Sequence, residues 1–295
     1  LVLAMFFLFM SAGYLVIGQF ESRWLKNRVL LFGVIEGIVG LYAIVSPDYF
    51  FLLTDNFNFY GSTTTSDLFK SLLLTSAFIG LPTFLMGGTI PILTQGLVQI
   101  FGESHRVHAR IYSSNTFGAF VGTLVAGFYL IESFGLPLTL LYAGLVNLLI
   151  MIIGYAVFRL NPGGMRGVQP QLSEEVGPVV KSKKDLSWLG LYAVSFLSGF
   201  YVFSFENIVI RMAGVSLGSS TYTYTIVVAS FIFSIALGST CVSFIKRLES
   251  IKILLGVQSL LFLSWVVIYL QISTWPSVLN RIQSLIRPAA INFTW

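Results

Sequence analysis

Charged side chains are scarce in this chain. Asp, Glu, Lys and Arg supply 10% of its 295 residues, against about 25% in a soluble domain. A water-exposed surface cannot be built from so few. Cysteine is limited to Cys241, which excludes an internal disulfide and any cysteine-built metal cluster. The two histidines, His105 and His108, lie outside the apolar runs, so histidine-ligated redox groups within a membrane are not expected. The pair is three residues apart, but Glu103 is the one carboxylate nearby, too thin a set for a metal centre. A Gly-rich phosphate loop is missing, as is a nucleophile with a sequence-adjacent base. No catalytic residue, cofactor site or metal site is therefore expected. Basic runs are not interleaved with aromatics, so the net charge of +5 is not the footprint of a nucleic-acid partner.

What the chain does hold is apolar sequence, 56% of its residues. It falls into eight stretches: 1–19, 29–53, 68–98, 111–131, 137–158, 188–210, 222–244 and 253–272. Each is long enough to cross a bilayer, which takes about 20 residues. The spacing predicts an all-α, polytopic transmembrane bundle of about eight spans, with the lipid bilayer as its first partner.

Thirteen of the seventeen Lys and Arg residues follow the first, third, fifth and seventh stretches. They are Arg23, Lys26 and Arg28; Arg106 and Arg110; Arg159, Arg166, Lys181, Lys183 and Lys184; and Lys246, Arg247 and Lys252. The other side keeps Lys70, Arg211, Arg281 and Arg287. Positive charge stays cytoplasmic during insertion, so Leu1 is expected outside and the loop after the fifth stretch inside. The chain opens on Leu1 within an apolar run, which points to sequence preceding it.

Residues 160–186 are polar and carry Pro162, Gly163, Gly164, Pro170 and Pro178, the composition of a flexible linker. They divide a region 1–159, of five spans, from a region 187–295, of three spans and a tail. A faint repeat crosses this boundary. Gly13, the Arg23–Arg28 turn and Leu30-Leu-Phe-Gly33 are echoed by Gly238, Lys246-Arg247 and Leu254-Leu-Gly256. Aligning them makes the sixth stretch the opening helix of a second repeat. The first repeat would then have its first helix before Leu1, and the second would be incomplete. Parallel six-helix repeats are the arrangement of major-facilitator halves.

Within the third stretch, Pro82, Gly87, Gly88 and Pro91 crowd one segment. Proline removes a backbone donor and clashes with the preceding turn, so a broken or strongly kinked helix is expected there. Unwound backbone at membrane depth belongs where it lines a cavity or is buried in protein. Gly33 and Gly37 in the second stretch, and Gly118 and Gly122 in the fourth, have the four-residue spacing that lets two helices approach closely.

Polar groups inside the runs are few. Glu36 lies seven residues into the second stretch, too deep for a short side chain to reach the interface, and should face the bundle interior. It reads either as a cation or proton site or as a hydrogen-bonded packing residue. Asn115 and Asn147 suit interhelical hydrogen bonds. Glu206 and Arg211 are five apart and do not stack as a four-residue spacing would, so each should find another partner. Glu36, Asn115, Glu206 and Arg211 are the candidate intramembrane polar site.

Two blocks carry a family resemblance. One is Leu81-Pro-Thr-Phe-Leu-Met-Gly-Gly-Thr-Ile-Pro91, followed by Ala109 to Gly118 and Ala126 to Leu130. The other is Phe196-Leu-Ser-Gly-Phe200, Glu206, Arg211 and Leu217-Gly-Ser-Ser220. Their order resembles the membrane region of bacterial fused major-facilitator/spermidine-synthase-like proteins and covers most of residues 1–260. Val209 stands where family members often have an aromatic. Nothing in the chain matches the soluble aminopropyltransferase domain, so the resemblance implies a membrane module without that activity.

Three functions follow as expectations. The first is a non-enzymatic, transporter-like module for a small solute such as a polyamine or organic cation. The second is an accessory subunit held by partner membrane subunits. The third is the membrane anchor of a spermidine-synthase-like enzyme whose soluble domain is missing.

Overall fold

The computed structural model describes residues 1–19, 27–56, 65–101, 104–160, 185–244, 251–275, 277–278 and 281. The fold is all-α. Its helices are α1 Val2–Gln19, α2 Arg28–Asn56, α3 Thr65–Phe101, α4 Ser104–Val125, α5 Ile131–Leu160, α6 Asp185–Leu217, α7 Thr221–Phe244 and α8 Ile251–Gln271. A helix lets an unbroken apolar run satisfy its backbone donors and acceptors within itself, as it must where no water is at hand. The expected linker 160–186 lies, apart from its ends, outside the described residues. So do Arg23, Lys26, Arg166, Lys181, Lys183, Lys184, Lys246, Arg247 and Arg287.

Six segments are long and apolar enough to cross a membrane, fewer than the eight stretches suggest. The difference has two sources. The apolar part of α8, Leu255–Gln271, is short, and residues 107–160 form one helical run of 54 residues. At ~1.5 Å per residue that run would measure ~81 Å, against a hydrocarbon core of ~30 Å. It is not a straight rod. A π-helical turn joins α4 to α5 at Ala126–Leu130, and Gly135 leaves helical geometry altogether, with φ 74° and ψ 171°. Pro137 follows at once. The sequence places the new span at Pro137; the chain turns two residues earlier, where a residue without Cβ can take a positive φ.

The helices form two compact units. Unit 1 comprises Leu1–Asn115 and Tyr129–Pro178, and unit 2 comprises Thr116–Phe128 and Val179–Trp295. The latter half of α4 thus groups with α7 rather than with the earlier helices. Phe120 meets Phe233 at 4.9 Å between ring centroids, and Phe128 stacks on Tyr222 at 5.6 Å.

In unit 1, α1 packs on α3, α3 on α2, and α2 on α5. Met5 meets Ser76, Phe9 faces Gly80, Gly13 faces Phe84 and Ile17 faces Gly88. The numbers advance together, so α1 and α3 are parallel. Arg28 meets Gln95 while Tyr42 meets Phe78, so α2 is antiparallel to α3. Gly33 lies against Gly154 and Gly40 against Gly144, so α2 and α5 are antiparallel too. This alternation is what short loops between successive spans require.

In unit 2, α6 packs on α7. The α6–α7 turn uses Gly218 at φ 93°, and Ser220 caps α7 by accepting the Thr223 N–H at 3.2 Å. The Gly-Ser-Ser element of the resemblance is therefore a helix stop followed by a helix start.

Candidate functional site

The site is best built from α2, because its three faces are separable. Gly33, Gly37 and Gly40 form a stripe against α5. A Cβ added at Gly33 would sit 3.4–3.6 Å from Met151 and Gly154, and one at Gly40 would press on Gly144, Asn147 and Leu148. Ile35, Val39 and Ser46 are buried on a second face, which also carries Tyr42, bonded to α3. Val34, Ile38, Leu41 and Val45 make an exposed apolar stripe, the side suited to lipid.

Glu36 lies opposite that stripe. At ~100° per residue, the four exposed residues stand about 140–200° away from it around the helix. Glu36 falls between the glycine stripe facing α5 and the face turned to α3. It is half-buried, and no hydrogen bond or ion pair reaches it among the described residues. On α3, the Arg28–Gln95 and Tyr42–Phe78 contacts bracket it level with Leu85–Gly88. On α5 it stands near Met151, one turn from the Asn147 side chain.

Of the break or strong kink expected at Pro82, Gly87, Gly88 and Pro91, the structure shows no break. α3 is helical from Thr65 to Phe101 with both prolines inside it. Pro82 deprives the Phe78 carbonyl of its helical donor, and the Tyr42 hydroxyl of α2 donates to that carbonyl instead. Local hydroxyls add bonds along the same segment. Thr83 donates to the Ile79 carbonyl at 2.7 Å, and Thr89 to the Met86 carbonyl at 2.7 Å. Gly87 and Gly88 do not unwind the helix. They let α1 approach: a Cβ at Gly87 would overlap the Met10 carbonyl, and one at Gly88 the Ile17 side chain. Gly13 does the same from the other side, against the Phe84 backbone.

A polar network closes one end of unit 1. Asn27 caps α2, its Oδ1 accepting the Leu30 N–H at 3.2 Å. Arg28 donates to Gln95 Oε1 at 2.6 Å, and Gln95 Nε2 donates to the Gly18 carbonyl at 3.2 Å. The last turn of α1, the first of α2 and the late part of α3 are thus tied through one amide. Beside it, Thr94 and His108 Nδ1 share a hydrogen bond of 3.1 Å, and the His108 ring stacks on Tyr112. Gln95, Thr94 and Tyr42 are the residues that sequence reasoning missed. Each is an ordinary polar residue in an apolar run, and only its distant partner gives it a role.

Of the other three residues expected at an intramembrane polar site, Asn115 belongs to unit 1 and Glu206 and Arg211 to unit 2. Asn115 is exposed and makes no hydrogen bond among the described residues. Gly118 and Gly122 have no described heavy atom within 4 Å of a Cβ placed on them. Glu206, in unit 2, is 7% exposed, whereas Arg211 is exposed. Five residues put them about 140° apart around α6, and no ion pair joins them. Unit 2 also contains a cavity of about 680 Å³ between α6 and α8, lined by Leu197, Tyr201, Gln258, Phe262, Trp265 and Tyr269 among others. The Trp265 indole N–H is buried without a hydrogen-bond partner among the described residues, packed beside the Tyr201 and Phe205 rings.

Among the described residues no group of three or more His, Cys, Asp or Glu side chains is gathered to hold a metal. Comparison with protein-family models, curated proteins and solved structures finds no match for this chain.

Proposed function

We propose that this protein is a transporter-like module that binds a small organic cation of the polyamine class, with the Glu36 carboxylate as its anchor. The observation that carries the reading is the placement of Glu36. It is an acidic side chain inside a span, on the side of α2 opposite lipid, with no protein partner among the described residues. Intramembrane acids are costly to insert, by about 2.5–3.5 kcal/mol at a helix centre, and are kept where they bind something. A cationic amine supplies the missing charge and donors. Gly33, Gly37, Gly40, Gly87 and Gly88 keep the neighbouring backbones close, so the carboxylate sits in a rigid setting. The same reading puts the protein in a bacterial cytoplasmic membrane with Leu1 outside, in line with thirteen of seventeen basic residues lying on the other side.

The test is spermidine binding to the protein reconstituted in lipid nanodiscs, wild type against Glu36→Gln. Binding should weaken about tenfold or more in the variant, ~1.4 kcal/mol or greater. Equal affinity in the two removes Glu36 from the function. Absence of binding to the wild type ends the polyamine reading.

A further inference from the structure

A second carboxyl group, that of Glu206, has less exposed surface than Glu36, and solute binding does not account for it. Glu206 lies in α6 with 7% of its surface exposed, eleven residues before the helix ends at Leu217. At ~1.5 Å per residue that is ~16 Å from the nearer helix end. No hydrogen bond or ion pair to it exists among the described residues. An ionised carboxylate so placed would carry a desolvation cost of several kcal/mol with nothing to offset it.

Among the described residues, no compensating charge stands beside it. On α6 itself, Arg211 is exposed and turned away, and Tyr201 lies nearer α8, beside Trp265. On α7, which packs against α6, Tyr224 is close enough to interact with Glu206 electrostatically. The other titratable residues of α7 are Tyr222, stacked on Phe128, and the exposed Cys241. Lys, Arg and His are absent from 221–244. Residues 116–128, grouped in the same unit, contain no titratable side chain. On α8 there are Tyr269 and, at the far N-terminal end, Lys252. Buried hydroxyls of Thr223 and Thr225 line α7 nearby, but both are engaged, with Ser220 and the Thr221 carbonyl.

We propose that Glu206 is a proton-binding site within unit 2, its carboxyl holding a proton that exchanges with solvent. The lone acid of this buried α6–α7 face is neutralised by the one cation that needs no coordinating cage. The inference stands on Glu206 alone and holds whether or not Glu36 binds a solute.

The test is reaction of the full-length protein, in its own membrane, with dicyclohexylcarbodiimide, which reacts with protonated carboxyl groups in apolar surroundings. Adducts are located by peptide mass spectrometry. The exposed Glu132 serves as the internal control. An ordinary glutamate is deprotonated above about pH 4.3. At about pH 7, well above that value, Glu206 should carry the adduct and Glu132 should not, with labelling falling as pH rises. Glu206→Gln should remove the adduct from that peptide. An unlabelled Glu206, equal labelling of Glu132, or labelling that does not change with pH overturns the proposal. Loss of labelling on adding sodium at constant pH also overturns it, since the site would then hold a metal cation. The wild-type measurement does not depend on any variant folding.

Discussion

The Tyr42 hydroxyl donates to the Phe78 carbonyl, the acceptor that Pro82 strands four residues later in α3. A proline in a membrane helix leaves one carbonyl with no water to turn to. Here a neighbouring helix satisfies it, so α3 stays helical through a segment that composition alone marks as broken.

Tyr42→Phe should therefore lower stability by about 1 kcal/mol, the net worth of one such hydrogen bond in a membrane protein. In a Pro82→Ala background the backbone N–H returns and the cost of Tyr42→Phe should shrink toward zero. Reversible unfolding in mixed detergent micelles measures both. An equal cost in the two backgrounds would show that the tyrosine acts through packing alone.

The glycine-rich segments should separate by neighbour, not by spacing. Gly87→Leu and Gly13→Val force side chains into the backbone of the facing helix and should cost several kcal/mol or prevent folding, as overpacking does. Gly118→Ala and Gly122→Ala meet open space and should be neutral or gain up to about 1 kcal/mol from helix propensity. Melting of the purified variants in one detergent gives the comparison directly.

Gly135 should be intolerant for a different reason. Its φ of 74° with ψ of 171° lies where side chains are essentially excluded, a strain of about 1–3 kcal/mol for another residue. Gly135→Ala should lower the melting temperature although nothing crowds the site.

The same break predicts that residues 107–160 cross the membrane twice. Cys241→Ser makes the chain cysteine-free. In that background Ser104→Cys and Leu160→Cys should react with an impermeant maleimide from one side, and Ser133→Cys from the other. Labelling of residues 104 and 160 from opposite sides would mean a single crossing.

Ser220→Ala should loosen the start of α7, removing the oxygen that accepts the Thr223 N–H. An N-cap of this kind contributes about 1 kcal/mol. Hydrogen exchange should rise at residues 221–224, with little change in the distant part of the helix.

Much of the helical framework is local and legible in the residues. Apolar runs bounded by polar loops predict α2 at 29–53 and α7 at 222–244, close to the observed Arg28–Asn56 and Thr221–Phe244. Gly33 and Gly37 have the close-packing spacing, and the structure supplies their neighbour, α5. Gly118 and Gly122 have the same spacing without a described neighbour. The motif states only what a helix face permits. At Pro82–Pro91 local chemistry misleads, because the donor that preserves the helix comes from Tyr42, thirty-six residues before its acceptor.

That the chain is helical and built of apolar segments is legible in its residues, because an unbroken apolar run of about 20 residues satisfies its backbone amides in lipid as a helix. Which face of each helix meets protein is settled only by the packed fold. That Glu36 should face inward was legible from its depth in the run; that it lies between the faces of α2 packed on α3 and on α5 is seen only in the fold. Glu206 became isolated only because α7 faces it without a counter-charge. Burial and partnership depend on neighbours remote in the chain, and hydrophobic periodicity carries little of that information when every side of a helix is apolar.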